Sequence, residues 1–159
     1  MRVYSALEDG DKLGTLKLKE LFDDYPFVDL CNVTRVMQLR GINRPLFPMT
    51  WRFLPLMDPT VDRLLPRDSD SLITAREVSA VNQWLDNSTS TFHLMRDHFY
   101  HCTTDILGGF WGAKIYQRRH DILKASTKIY YKTKHKMEYG FDQTMLNTFI
   151  WPLAINDSV

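Results

Sequence analysis

Val61-Asp62-Arg63-Leu64-Leu65-Pro66-Arg67-Asp68-Ser69-Asp70 is the stretch from which the rest of the chain is read. Its short apolar run, Leu64 and Leu65, stops at Pro66 and delivers two carboxylates, Asp68 and Asp70. A strand over 61–65 that ends in acidic residues puts them outside the carboxyl end of a sheet, where α/β folds keep their chemistry. Carboxylates two apart on extended chain point to opposite sides, so a turn is needed before they can serve one ligand. With a turn, one holds a divalent cation and the other a sugar hydroxyl or a metal-bound water, which suits a diphosphate substrate. The pattern alone is weak. Chance supplies on the order of one Asp-x-Asp in a chain of this length, and Asp9-Gly10-Asp11 is another, set in a glycine turn. Asp-Ser-Asp-Ser is also good turn chemistry with no ligand at all.

Length bounds the search: 159 residues make one domain with room for a real core. Apolar content of 44% and charged content of 25% are those of a globular protein. A formal charge of +1 implies no strongly basic face for nucleic acid. No run approaches the length of a membrane span, and Met1-Arg2-Val3-Tyr4 does not open a signal peptide. That favours the cytosol and buried free thiols at Cys31 and Cys102 rather than a disulfide. Three of the six asparagines, Asn32, Asn87 and Asn156, stand in N-x-Ser/Thr sequons, which points instead to the lumen of the ER or Golgi. Both compartments stay open.

Outward from 61–70, the chain alternates element types. Arg2–Ser5 predicts a strand, Leu13–Tyr25 an amphipathic helix stopped by Pro26, and Phe27–Val33 a second strand. Strand, helix, strand favours a parallel α/β unit. Residues 34–45 read as an exposed loop or broken helix. Leu46–Met57, the most hydrophobic stretch, predicts a helix under the sheet. Thr74-Ala75-Arg76-Glu77 is a capping box and opens a helix ending near Asn87. Thr91–Arg96 predicts a strand. In Leu107-Gly108-Gly109-Phe110-Trp111-Gly112 the glycines call for backbone close to another group. The lysine-rich stretch 115–138 reads as solvated. Phe141-Asp142-Gln143 opens a last helix, stopped by Pro152, with Asp142 where the macrodipole favours an anion.

In that order the motifs resemble a glycosyltransferase-like family. They are Trp51-Arg52-Phe53-Leu54, Arg67-Asp68-Ser69-Asp70-Ser71, Arg76-Glu77, Ala80-Val81-Asn82-Gln83-Trp84-Leu85, His93-Leu94-Met95-Arg96-Asp97-His98, the Gly108–Gly112 segment and Asp142-Gln143-Thr144-Met145-Leu146-Asn147. The acidic pair, the glycine-tryptophan segment and the Asp-Gln helix are similar to the ordered landmarks of GT-A nucleotide-sugar transferases, over about residues 45–157. The resemblance implies an α/β fold with a mostly parallel, Rossmann-like sheet flanked by helices, its first strand and helix missing. It implies Mn²⁺ or Mg²⁺ on Asp68 and Asp70, a nucleotide-sugar donor and an unidentified acceptor. Arg67, Ser69, Arg96, Gly108, Gly109, Trp111 and Gln143 would bind substrate, with Trp111 as a floor under the sugar. Asp97 and Asp142 would serve as base or as a carboxylate stabilising oxocarbenium-like charge.

The chain departs from that pattern in lacking the usual opening strand and a late metal-binding His, and in having Pro66 where a β-branched residue is preferred. Those departures keep a second reading open: a catalytically inactive binding or assembly module whose Arg2–Ser5 edge strand is covered by a partner or a second copy. A third reading rests on His98, His101 and Cys102, with His93 and Asp97 nearby. These hold enough ligand types for zinc, but the spacing fits no strong template.

Overall fold

The computed structural model describes residues 1–7, 10–96 and 98–157. Two compact units make up the chain, Met1–Pro45 and Leu46–Val159. In the first, β1 (Arg2–Ser5) and β2 (Asp29–Asn32) pair in parallel, joined through helix α1 (Lys12–Asp24). Asp11 caps α1 by accepting from the Gly14 N–H at 2.8 Å. Within 34–45, expected to be an exposed loop or broken helix, residues 34–39 belong to helix α2 (Val33–Leu39), which also takes Val33 from the end of the expected strand. The signal for it is local: Asn32 Oδ1 accepts from the Arg35 N–H at 3.0 Å. Val28, Val33 and Ile42 are the buried apolar residues of this unit.

The second unit holds β3 (Arg63–Leu64), helix α3 (Ala75–Asn87), β4 (Phe92–Leu94) and β5 (Trp111–Lys114). Here the expected mostly parallel Rossmann-like sheet is overturned. The order is β3-β5-β4, and β5 runs antiparallel to both neighbours. Among the described residues strands make up 11% against 52% helix, too little for such a sheet. The reason lies in the connections. The passage through α3 leaves β3 and β4 running the same way, as a helical crossover should. The chain then returns through residues 95–110 without a comparable crossover and inserts β5 between them. Gly112 and Ala113 make that insertion possible, because a Cβ at Gly112 would stand 2.9 Å from Leu65 Cδ2 and 3.2 Å from the Leu64 carbonyl oxygen.

Around this small sheet the core is helical. Leu46–Met57 does form a helix, but a 3₁₀ helix over Pro48–Met57, with Pro55 inside it, where an α-helical ladder would be broken. It buries Phe53, Leu54 and Leu56. The lysine-rich stretch is only half solvated. Helix α4 (Arg119–Thr127) and the π turn Lys128–Lys132 bury Ile122, Ile129 and Tyr130, and the Tyr130 hydroxyl donates to the Thr50 carbonyl at 2.7 Å. Pro152 does not stop the last helix. Helix α5 (Phe141–Met145) widens into a π turn over Leu146–Ile150 and continues as α6 (Trp151–Ile155), so that Pro152 falls in a first turn that needs no N–H from it.

No disulfide joins Cys31 and Cys102; the first is half-buried and the second exposed, so neither is the buried thiol expected. Among the described residues no helix is long and apolar enough to cross a membrane.

Candidate functional site

A residue absent from the predicted set organises the site. Arg52, on the 3₁₀ helix, ion-pairs through one terminal nitrogen with Asp68 Oδ1 and through the other with Asp142 Oδ2 at 3.2 Å. Its Nε donates to the Met49 carbonyl at 2.9 Å, so each guanidinium nitrogen is engaged. The Arg52 side chain is 15% exposed, Asp142 8% and Asp68 34%. Asp68 is therefore the open face of the cluster. The signal for Arg52 was its setting: a charge inside the most apolar stretch of a sequence must find a buried partner.

The glycines explain how the carboxylates fit. A Cβ at Gly109 would overlap Asp68 Oδ2 and stand 3.2 Å from the Asp68 backbone nitrogen. At Gly108 it would sit 3.1 Å from Asp142 Oδ2 and 3.5 Å from Arg52 Nη1. Gln143 accepts from the Gly108 N–H at 3.1 Å and donates to Asn147 Oδ1 at 3.2 Å. That amide holds the glycine segment in place, so its role here is positioning rather than reaching for a sugar hydroxyl. Asp68, Gly108, Gly109, Asp142 and Gln143, from three distant segments, meet around one guanidinium.

Arg67 forms the flank. It ion-pairs with Glu77, lies 5.0 Å from the centre of the Phe110 ring, and reaches the Gly109 carbonyl at 3.5 Å and that of Leu72 at 3.3 Å. Its Nε is buried without a hydrogen-bond partner. Glu77 completes only half of the capping box: its N–H donates to Thr74 Oγ1 at 3.3 Å, while its carboxylate goes to Arg67. His93 stacks on Trp84 at 5.4 Å. Burial holds its pKa below the ordinary imidazole value, opposed by the negative charge of Glu77.

The remaining predicted residues lie elsewhere. Trp111 is 1% exposed with its ring 5.9 Å from Phe53, so it is core and not an open floor for a sugar. Arg96 is exposed, bonded to the Asp105 carbonyl and set over the Trp151 ring at 5.5 Å. Ser69 and Asp70 are exposed on a turn closed by the Ser71 N–H donating to the Asp68 carbonyl at 3.3 Å. Asp97 lies outside the described residues.

Among the described residues no three His, Cys, Asp or Glu side chains gather to hold a metal. For the zinc reading, His98 Nδ1 is instead taken by the Tyr100 N–H at 3.3 Å, and the His98 and His101 rings are 5.5 Å apart, tilted at 58°. Mn²⁺ or Mg²⁺ shared with a diphosphate is a different requirement. Such ions keep several waters and take one or two carboxylates plus phosphate oxygens. Of the two carboxylates expected to meet it, Asp68 is 34% exposed with Oδ1 on Arg52 and Oδ2 against Gly109, and Asp70 is exposed on the same turn.

Compared with known proteins, the chain matches no family model, no curated protein and no solved structure.

Proposed function

We propose that the chain binds a nucleoside-diphosphate sugar at the Arg52–Asp68–Asp142 cluster and transfers the sugar to an acceptor, with Mn²⁺ or Mg²⁺ as cofactor. One observation carries this reading. Three segments far apart in sequence converge so that Asp68, 34% exposed, is the most open carboxylate of a cluster packed on Gly108 and Gly109. The glycines let the two carboxylates close on Arg52, and the part-exposed Asp68 would supply a cation ligand. The cation, once bound, would neutralise the diphosphate as it leaves the sugar. Arg52 holds Asp68 in its rotamer by a charge-assisted bond. Asp142, buried and shared with Arg52, anchors the guanidinium from behind.

Thermal unfolding tests it. Mn²⁺ with UDP or with GDP is expected to raise the melting temperature, by about 2.7 kcal/mol of stabilisation at a hundredfold excess over Kd. Asp68→Asn should remove the shift. No shift with any pairing at millimolar ligand, on a folded sample, would refute the reading.

A second reading, an assembly module, is favoured by the first unit. Parallel sheets are normally covered on both faces, yet among the described residues β1 and β2 form a two-stranded sheet. Helix α1 leaves Leu13 64%, Leu16 53% and Phe22 52% exposed. A second copy pairing along β1 would cover such a surface. Light scattering should then give a dimer that Phe22→Lys with Leu16→Lys dissociates; a monomer at the highest soluble concentration removes this reading.

A further inference from the structure

The asparagines of all three N-x-Ser/Thr sequons, Asn32, Asn87 and Asn156, are exposed, so exposure does not choose among them. What each side chain already holds does. We propose that Asn87 is an N-glycosylation site, the acceptor of an oligosaccharide from a lipid-diphosphate-linked donor. The proposal is independent of the nucleotide-sugar reading.

Asn87 is the last residue of α3, and Ser88 after it is extended, with φ −120° and ψ 137°. The sequon thus runs off a helix end into surface chain, the setting an acceptor needs. Its middle residue does the anchoring. The Ser88 carbonyl accepts from Lys114 Nζ, and Ser88 Oγ accepts from the Ser90 N–H at 3.1 Å. Trp84 Nε1 donates to the Ser90 carbonyl at 2.9 Å and ties down the far side of the segment. Asn87 and Thr89, the two residues a transferase reads, are exposed, and neither side chain makes a hydrogen bond among the described residues. The other two asparagines are committed. Asn32 pairs with Ser5 in the β1–β2 sheet, its Oδ1 caps α2, and Thr34 lies in the first turn of that helix. The amide nitrogen of Asn156, the atom that would take the sugar, donates to the Pro152 carbonyl at 2.8 Å. In the transfer, Asn87 Nδ2 bonds to C1 of the sugar and the C1–O bond to the diphosphate breaks. The lipid diphosphate leaves with that electron pair, and one amide proton passes to solvent. Glu77 and Asn87, ten residues apart on α3, are separated by about 15 Å of helix. The glycan therefore stands clear of the Arg67–Glu77 pair.

Expression of the full chain behind a cleavable secretion leader in a eukaryotic cell tests this on the lumenal and secreted product. That product is expected to carry a glycan that peptide-N-glycosidase removes, converting Asn87 to aspartate in the peptide mass spectrum. Asn32 and Asn156 should stay unmodified. Asn87→Gln should abolish the mobility shift caused by the glycan. Thr89→Ala should abolish it too, although it leaves the asparagine in place and removes only the hydroxyl at the third sequon position. Asn32→Gln and Asn156→Gln should keep the shift in full. Occupancy of Asn32 or Asn156 equal to or above that of Asn87 overturns the proposal, because the engaged side chains would then have made no difference. A lumenal chain without any glycan overturns it as well. Neither result bears on nucleotide binding, which the melting experiment reads separately.

Discussion

Lys114→Met is expected to lower the stability of the second unit by about 2–4 kcal/mol, a large loss for one lysine. Lys114 is 2% exposed in the central strand β5, and its Nζ donates to the Trp84 carbonyl at 2.8 Å and the Ser88 carbonyl at 2.5 Å. Those carbonyls belong to the end of α3, where the last turn of a helix has no internal donors left. The ammonium also sits 5.2 Å from the Trp84 ring centre, adding a partly desolvated cation–π contact. Methionine fills similar volume but leaves both carbonyls without their donor. Lys124→Met, on the exposed face of α4, should stay within about 0.5 kcal/mol of wild type. Urea midpoints at unchanged slope measure both. If the two variants shift alike, Lys114 does not cap α3.

That pair of lysines marks where sequence reading ran out. Nothing local distinguishes Lys114 from Lys124; the difference is that one lies on a strand inserted between two others. The same cause hid the sheet. Capping residues around α1 and α3, and the apolar spacing between them, act within a few residues, and those helices stand within a residue or two of their predicted ends. Strand direction is set by how the chain returns, and the stretch 95–110 carries no periodic signal for that. Pro152 misled for a related reason: whether a proline stops a helix depends on whether the turn before it can widen, as Leu146–Ile150 does. In the site, the glycines announced a close approach without naming the approaching group. The partner of Gly109 is Asp68 itself, and the residue joining Asp68 to Asp142 is an arginine hidden in an apolar run.

Gly109→Ala should test that geometry more severely than removal of either carboxylate. The new methyl group cannot coexist with Asp68 Oδ2 where it stands, and it would press on the Asp68 backbone nitrogen at 3.2 Å. Either Asp68 rotates, giving up its bond to Arg52, or the turn moves away from β5. Overpacking of this kind costs about 1–3 kcal/mol. Rotation of Asp68 also displaces the more exposed carboxylate of the cluster, so any stabilisation by Mn²⁺ with UDP or GDP should vanish. The two explanations separate in a double-mutant cycle. In an Asp68→Ala background the methyl meets no carboxylate, and if side-chain conflict dominates, most of the Gly109→Ala penalty should disappear, a coupling of about 0.5–3 kcal/mol. If the backbone contact dominates, the penalties simply add. Additivity would mean that Gly109 serves the turn and not the carboxylate, and the case for a site built around Asp68 would lose its main structural support.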